Sequence, residues 1–309
     1  MFPTALIYSS HNRCAHIHRD WIVERALKSH DNKTILYLPM SMSEYHQQEY
    51  TWHTFRWYFE QFRNWGLHAI PFYWSENLKK EDVDLFFDYL QNFEVVILGG
   101  GSSTLGLRRY RALGEYFYRD RGLFGRILHD RQNRGKLTVG FSAGADQLCD
   151  YLATFADQRH LEDANGFGLG RNIAVTLHHE WGREGAIYEA ARTLPHCMIF
   201  GLPNDSGIAV DQGYLPSGNI WQVIEFIIDC SWTVPHDSWH IKTLKGMKID
   251  HSYCDGRHWA FNGGDKVVRV MSPDNRYNKA WLIFRGAILD YWTQQESEFE
   301  SIDDIFKNH

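Results

Sequence analysis

Short runs of aliphatic residues alternate with helix-like patterns through the first half of the chain. Strand-like runs such as TILYLPM (34–40) and EVVILGGG (94–101) are separated by helical patterns near 19–29, 46–64, 81–91 and 104–130. Strict alternation of this kind predicts a mainly parallel sheet with helices on both faces, because parallel strands need crossover connections. In such an α/β fold, reactive groups lie at the carboxyl ends of the strands.

Two glycine-rich turns follow predicted strands. One is GGGSS at 99–103, and the other is GFSAGA at 140–145, which carries Ser142 in a G-x-S-x-G pattern. Between a strand and a helix, this pattern is typical of a nucleophile elbow, a sharp turn that exposes the serine hydroxyl. Gly140 and Gly144 are expected to leave room for the neighbouring strand and helix. Since both turns lie at the carboxyl ends of strands, we expect them to face one crevice.

A serine hydroxyl needs a base to act as a nucleophile at neutral pH, and the base needs a partner that holds it in one tautomer. The pair His178–His179 follows the strand-like run IAVTL. Neighbouring side chains of an extended segment point in opposite directions, so only one of the two histidines can face Ser142. Three carboxylates between the elbow and the histidines are candidate partners: Asp157, Glu162 and Asp163.

The negative charge that develops on an attacked carbonyl oxygen needs N–H donors nearby. Ala143 offers one donor from the first turn of the helix after the elbow. We expect the second donor to come from the glycine run, at Gly100 or Gly101. A phosphate site is the competing interpretation of such a run, but neither G-x-x-x-x-G-K-[ST] nor G-x-G-x-x-G occurs in the sequence. We therefore expect no nucleotide cofactor.

Composition narrows the class of protein further. The 309 residues are 44% hydrophobic, which is ample for a buried core, and the net charge of −6 gives no general attraction to nucleic acid. No apolar run reaches the roughly 18 residues of a membrane span, and no leader-like segment precedes ALIYSS. The five cysteines are widely spaced, as is typical of reduced thiols. We expect a cytoplasmic protein that binds neither nucleic acid nor membrane.

The regular pattern loosens in the last quarter of the chain. We assign residues 1–230 to one α/β domain and residues 231–309 to a C-terminal extension packed on that domain. Within the extension, HWAFNGGDKVVRVM (258–271) predicts a hairpin closed by Asn262–Gly263. The apolar residues of the last segment share one face of a predicted terminal helix: Phe299, Ile302, Ile305 and Phe306.

Several motifs occur together in a fixed order: VVILGGGSSTLGL, VGFSAGA, GFGLG at 166–170, a histidine at the end of the following strand, and GIAVDQG. Over about residues 1–225 the chain thus resembles the peptidase E and cyanophycinase family of serine peptidases. The resemblance implies a class I glutamine-amidotransferase-like fold, a three-layer sandwich with a mainly parallel central sheet. It also implies hydrolysis, without a cofactor, of an amide bond beside an aspartyl residue in a small peptide or isopeptide. A homodimer is one oligomeric state that the sequence allows.

Position by position, the resemblance makes Ser142 the nucleophile and His179 the base. Family members place an arginine shortly after the base, and Arg183 stands four residues beyond His179. The resemblance makes Asp157 the residue that orients the base, with Glu162 as the reserve.

We expect His178, the reserve base, to be packed under the end of its strand. The predicted substrate-binding residues are Arg183, which suits a carboxylate, and Ser102 and Ser103 after the glycine run. Family members often carry Asn or Asp with Thr or Gln at those two serine positions. The departures therefore concern the identity of the substrate more than cleavage of the bond.

Other classes of function remain as alternatives. A metal-dependent hydrolase is one, because the chain has 17 histidines, among them His16, His18 and the run HHE at 178–180. No H-E-x-x-H or similar ligand spacing occurs, so no metal ligand is assigned. Another is a family fold that has drifted to a binding or scaffolding role. A glutamine amidotransferase would need cysteine at position 142.

Overall fold

In a computed structural model, the described residues are 2–10, 14–153, 165–180, 182–229 and 248–309. The strands are β1 (Ala5–Tyr8), β2 (Thr34–Leu38), β3 (His68–Pro71), β4 (Val95–Leu98), β5 (Leu137–Phe141), β6 (Ile173–Leu177), β7 (Met198–Leu202), β8 (Ser206–Tyr214), β9 (Ile220–Ile228), β10 (Ile249–Ser252), β11 (His258–Phe261), β12 (Lys266–Met271), β13 (Asn278–Phe284) and β14 (Ala287–Asp290). The α-helices are α1 (Glu24–Lys28), α2 (Tyr45–Glu60), α3 (Lys80–Asn92), α4 (Ser103–Tyr118), α5 (Leu123–Asn133), α6 (Ala143–Leu148), α7 (Glu184–Thr193) and α8 (Ile302–Lys307). A π-helical segment, Ile17–Val23, leads into α1.

The wide central sheet has ten strands in the order β14-β13-β12-β9-β8-β1-β5-β4-β2-β3. The five strands from β1 to β3 in this order are parallel, as the alternating sequence pattern predicts. From β8 outward the strands are antiparallel and extend one edge of the sheet. The α/β architecture with a parallel half of the sheet is thus confirmed.

Side chains of the parallel strands alternate between two hydrophobic cores, because successive residues of a strand point to opposite faces. Leu6, Tyr8 and Tyr37 belong to the core under α2, together with its Phe55 and Phe59. The residues between them belong to the other core, which α3, α4, α5 and α6 cover: Ala5, Ile7, Leu36 and Leu38. Burial on both faces explains why the sequences of these strands are continuous apolar runs. No helix of the described ranges is long and apolar enough to cross a bilayer.

The helix predicted over 104–130 is two helices, α4 and α5. Arg119 has a left-handed backbone with φ of 55°, and the Asp120 N–H donates to the Gly114 carbonyl 3.0 Å away. A Cβ on Gly114 would lie 2.2 Å from the Asp120 carbonyl oxygen. The chain therefore folds back tightly over Gly114, a left-handed C-terminal cap that the sequence pattern did not reveal.

A second sheet of four strands, in the order β11-β10-β7-β6, packs near the antiparallel half of the first. The predicted hairpin across Asn262–Gly263 is wrong, because β11 pairs with β10 in this second sheet whereas β12 pairs with β9 and β13 in the first. The Phe226 N–H donates to the Asp265 carbonyl and the Gly264 N–H donates to the Phe226 carbonyl. These bonds tie the β11–β12 connection to β9, so the turn passes between sheets.

The last helix, α8, is docked on the outer strands. Its Ile305 is fully buried, and Phe299, Ile302 and Phe306 pack in the same cluster as Trp281 of β13. The shared apolar face predicted for these residues is therefore a packing face.

Arg131 of α5 ties the end of α3 to the amino ends of β4 and β5. Its guanidinium is fully buried and donates to the carbonyls of Leu90, Phe93, Glu94 and Leu137 at 2.6–3.1 Å. Those carbonyls belong to the end of α3, the approach to β4 and the start of β5. A charged donor that satisfies buried carbonyls contributes more than a neutral one.

We expect the Arg131→Met variant to lose about 3 kcal/mol of unfolding free energy, because buried carbonyls lose their donors. Urea unfolding followed by circular dichroism would measure the loss. Arg134→Met is the matched control, since the Arg134 side chain is 41% exposed. A similar loss in both variants would contradict the role given to Arg131.

Candidate active site

Ser142 is the single residue between the end of β5 and the start of α6. Its backbone has φ of 50° and ψ of −120°, a conformation that is strained for a residue with a side chain. The Ser142 N–H donates to the carbonyl of Tyr8, the last residue of β1, at 3.0 Å. This geometry agrees with the elbow that the G-x-S-x-G pattern predicts.

The glycines on either side of Ser142 allow α6 to lie directly on the sheet. A Cβ on Gly144 would be 2.0 Å from the carbonyl oxygen of Leu98 in β4, and one on Gly140 would be 2.2 Å from the Gly144 carbonyl oxygen. Backbone atoms cannot move aside as a flexible side chain can. The expectation that side chains at these two positions would meet the neighbouring strand and helix is confirmed.

The glycine run after β4 lies against the elbow. A Cβ on Gly100 would be 3.3 Å from the Cβ of Ser142. Gly101 has φ of +130°, and a Cβ there would be 2.3 Å from the Ser41 carbonyl oxygen. The two glycine-rich turns therefore meet at Ser142, as predicted. Ala143 is the first residue of α6, so its N–H belongs to the turn of helix that has no intrahelical acceptor.

The burial of the two histidines after β6 is the reverse of what the sequence predicts. His179 is only 3% exposed, and its ring lies so close to β7 that a Cβ on Gly201 would be 2.6 Å from it. Its Nε2 is 3.2 Å from the Asp250 carboxylate, and its Nδ1 is 3.5 Å from the Thr176 hydroxyl. These partners lie on the face of the second sheet that α7 covers. The histidine packed against the strand is thus His179.

His178 is exposed, and its backbone lies beside Ser9 at the end of β1. Its N–H donates to the Ser9 hydroxyl at 2.8 Å, while Ser142 bonds to the preceding residue, Tyr8. The His178 Nδ1 lies 2.6 Å from the Asn204 side-chain oxygen. The expectation that His178 is packed under the strand end is wrong. Its backbone is left-handed, with φ of 52°, so the alternation of an extended strand has already ended.

A buried polar network underlies the elbow. Gln147 of α6 donates to the Ser41 hydroxyl at 3.0 Å and to the Ser103 carbonyl at 2.9 Å. Asp146 is 2% exposed and bonds to the Ser103 side chain and the Ala153 backbone. Burial raises the pKa of the Asp146 carboxyl to about 7, although these two hydrogen bonds lower it. The network joins the elbow helix to the start of α4.

The remaining predicted residues lie as follows. Ser102 caps α4, because its hydroxyl accepts from the Leu105 N–H at 3.4 Å, and Ser103 bonds to Asp146. Arg183 precedes α7, is 60% exposed and lies 4.0 Å from Glu180. Their roles in substrate binding stay predictions.

Asp157 and Glu162 lie outside the described residues. Among the suggested metal ligands, His18 bonds to the Tyr8 hydroxyl at 3.1 Å and His16 pairs with Asp20, so the two diverge.

The profile described as "Peptidase family S51" matches residues 6–216, which is more than half of the chain. The chain belongs to peptidase family S51. The predicted resemblance to the peptidase E family is therefore confirmed.

Relatives called Peptidase E from Escherichia coli O1:K1 / APEC and Shigella boydii serotype 18 are each 32% identical to this S51 chain over 139 residues. That match covers 42% of this chain and 57% of each relative, less than two thirds of their length. A solved structure of a peptidase from an acI-B1 Actinobacterium aligns with a TM-score of 0.55 and 14% identity, over 88% of this chain and 99% of that one. This likeness confirms the glutamine-amidotransferase-like fold.

Several residues around Ser142 and the two histidines were not singled out from the sequence. Ser9 lies near the end of the strand-like run ALIYSS, and Asn204 follows the strand-like run MIFGL, so their position at the carboxyl ends of strands could have indicated them. Asp146 lies within the elbow helix, and a carboxylate among apolar residues could have indicated that it is buried there. Asp250 comes from a strand that the sequence pattern did not define.

We expect the Asp146 carboxyl to make stability fall as pH rises. Its pKa, about 7 when folded, is above the ordinary value of 3.8, so its contribution is complete below about pH 4 and is lost by about pH 7. Relative to Asp146→Asn, the wild type should lose about 2 kcal/mol of unfolding free energy between pH 5 and pH 7.

Urea unfolding at the two pH values measures this difference. The control is Asp130→Asn, which changes a carboxylate that is 61% exposed. If wild type and Asp146→Asn showed parallel pH dependence, the folded protein would not hold this proton.

Proposed function

We propose that this chain is a serine peptidase that hydrolyses an amide bond through an acyl-enzyme on Ser142. The observation that carries the proposal is the strained elbow at Ser142 with the Gly100 backbone packed against it. A strained, partly exposed serine between a strand and a helix is the arrangement that serine hydrolases of α/β folds use. Membership of family S51 supports the same chemistry.

His178 is the base in this proposal, in place of the predicted His179. Both ring nitrogens of His179 face groups on the far side of β6, the Asp250 carboxylate and the Thr176 hydroxyl. His178 instead lies where β1 and β5 end, and its exposed ring is open to a substrate. A base must come within hydrogen-bond reach of the proton that it takes. The position of His178 supports this role.

The reaction then runs in two halves. The Ser142 oxygen attacks the amide carbonyl carbon while its proton passes to Nε2 of His178, and that proton then leaves with the amine as the C–N bond breaks. Water attacks the acyl-enzyme, gives a proton to Nε2, and the Ser142 oxygen departs and regains that proton. The N–H groups of Ala143 and of Gly100 or Gly101 would stabilise the oxyanion in both halves.

The substrate is proposed to be a small peptide or isopeptide cleaved beside an aspartyl residue, as the resemblance to the peptidase E and cyanophycinase family implies. Arg183 is the proposed partner of the aspartyl carboxylate, since a guanidinium suits bidentate binding. Ser102 and Ser103 stand next to the glycine turn, where substrate would approach Ser142.

We expect Ser142→Ala to reduce cleavage by on the order of 10⁴-fold or more, because the acyl-enzyme cannot form. Wild type and variant would be incubated with α- and β-aspartyl dipeptides and with a broad dipeptide pool, and the products followed by mass spectrometry. Ser217→Ala, in the β8–β9 turn, is the control and should keep full activity. Equal turnover by Ser142→Ala would refute the serine mechanism, and turnover of non-aspartyl peptides alone would refute the proposed specificity.

We expect substitution of one histidine to reduce activity and substitution of the other to reduce stability. We expect His178→Ala to lower kcat by about 10²–10⁴-fold with little change in unfolding free energy, since an exposed base is removed. His179→Ala should lose about 2 kcal/mol of unfolding free energy because a buried ring and its bond to Asp250 are lost, while the folded protein keeps its kcat. Kinetics and urea unfolding on both variants check this, and the reverse pattern would restore His179 as the base.

A further inference from the structure

His178 and Asn204 form a close side-chain pair beside the elbow. The His178 Nδ1 and the Asn204 Oδ1 are 2.6 Å apart. An amide oxygen can only accept a hydrogen bond, so the hydrogen must lie on Nδ1. The lone pair of the neutral ring is then on Nε2, the nitrogen that can take a proton from a serine. The pair therefore selects the tautomer that the proposed mechanism needs.

The fold holds Asn204 in this place from both sides. Leu177 of β6 pairs with Leu202 of β7, and the His179 N–H donates to the Leu202 carbonyl at 2.9 Å, which sets the two strand ends side by side. In the turn after β7, the Asp205 N–H donates to the Ser10 hydroxyl at 3.1 Å, and the Ser206 hydroxyl donates to the Pro203 carbonyl at 2.7 Å. The backbone on each side of Asn204 is thus anchored independently of His178.

We propose that Asn204 is the positioning residue for the base. The site then consists of Ser142, His178 and Asn204, and a neutral amide is hydrogen-bonded to the histidine. This inference rests on the proposed function. A histidine held by an asparagine performs the same task in papain-like cysteine peptidases, which shows that a carboxylate is not a chemical requirement.

Carboxylates of the surrounding described elements are engaged elsewhere. Asp205, next to Asn204, accepts from the Ser10 hydroxyl at 3.3 Å and from the Cys14 thiol at 3.5 Å. Glu180, on the segment after His178, lies 4.0 Å from Arg183, and Asp250 faces His179. Asp229, at the end of β9, accepts from the His16 N–H. The group in contact with the His178 Nδ1 is the Asn204 amide.

A neutral amide fixes the tautomer but gives no charge to stabilise the protonated ring. Replacing it by a carboxylate adds an opposite charge in contact with His178, which favours the protonated form. The pH at which activity appears should therefore respond to the charge at position 204. A residue that served the fold alone would change stability without moving that pH.

The test compares Asn204→Leu, which removes the acceptor at similar size, with Asn204→Asp, which keeps an acceptor and adds charge. For each, the rate of Ser142 labelling by a fluorophosphonate is measured against pH, together with kcat and KM on a cleaved dipeptide. Asn204→Leu should lower kcat and the labelling rate by about tenfold or more with KM nearly unchanged. Asn204→Asp should keep the activity and move the acid limb of the profile about one pH unit higher.

Asn133→Asp, at the exposed end of α5, is the matched charge control and should leave the profile in place. The inference is overturned if both Asn204 variants keep the wild-type rate and acid limb. It is also overturned if Asp157→Asn loses the rate while Asn204→Leu does not.

A second readout needs no substrate. The measurement is proton NMR of the Ser142→Ala protein. The imidazole C–H signal of His178 is identified as the signal that is lost when His178→Gln is also introduced. Its pH transition should move about one unit higher when Asn204→Asp is introduced. Absence of labelling of Ser142 in the wild type would refute the proposed function alone, whereas an unmoved His178 transition would refute the role of Asn204.

Discussion

The close contact between α6 and β4 sets the rest of the site. Gly144 brings the helix so near the sheet that a single methyl group would meet the Leu98 carbonyl oxygen at 2.0 Å. Since α6 lies this low, Ser142 has to turn sharply at positive φ, and the glycine run after β4 can reach its Cβ. Gln147 and Asp146 then extend the same contact to Ser41 and Ser103. The nucleophile is positioned by backbone packing rather than by its own side chain.

Features determined by local sequence could be predicted. The parallel arrangement of the first five strands follows from alternating apolar and helical patterns, and the elbow follows from G-x-S-x-G between a strand and a helix. The meeting of GGGSS with GFSAGA follows from a general rule about the carboxyl ends of parallel strands. Each of these inferences needs only a short window of sequence and the geometry of a sheet.

Features that depend on distant parts of the chain could not be predicted. The left-handed residue His178 reverses the orientation of the histidine pair, and no single-residue propensity marks it. The β11–β12 segment has the pattern of a hairpin, yet its strands find partners in separate sheets. Asn204 meets His178 only because β6 and β7 end side by side. In each case a tertiary contact overrides the local signal.

The route of the chain between β9 and β12 has a consequence for how the protein is made. After β9 the chain leaves the wide sheet, adds β10 and β11 to the small sheet, and then returns to lie beside β9. A nascent chain that has emerged only as far as β9 already contains Ser142, His178 and Asn204, but β9 and β7 are then open sheet edges. Exposed edges pair readily with other chains. The segment from β10 to β14 covers both β9 and β7, so the newly synthesised protein keeps these two edges open until that segment has been made.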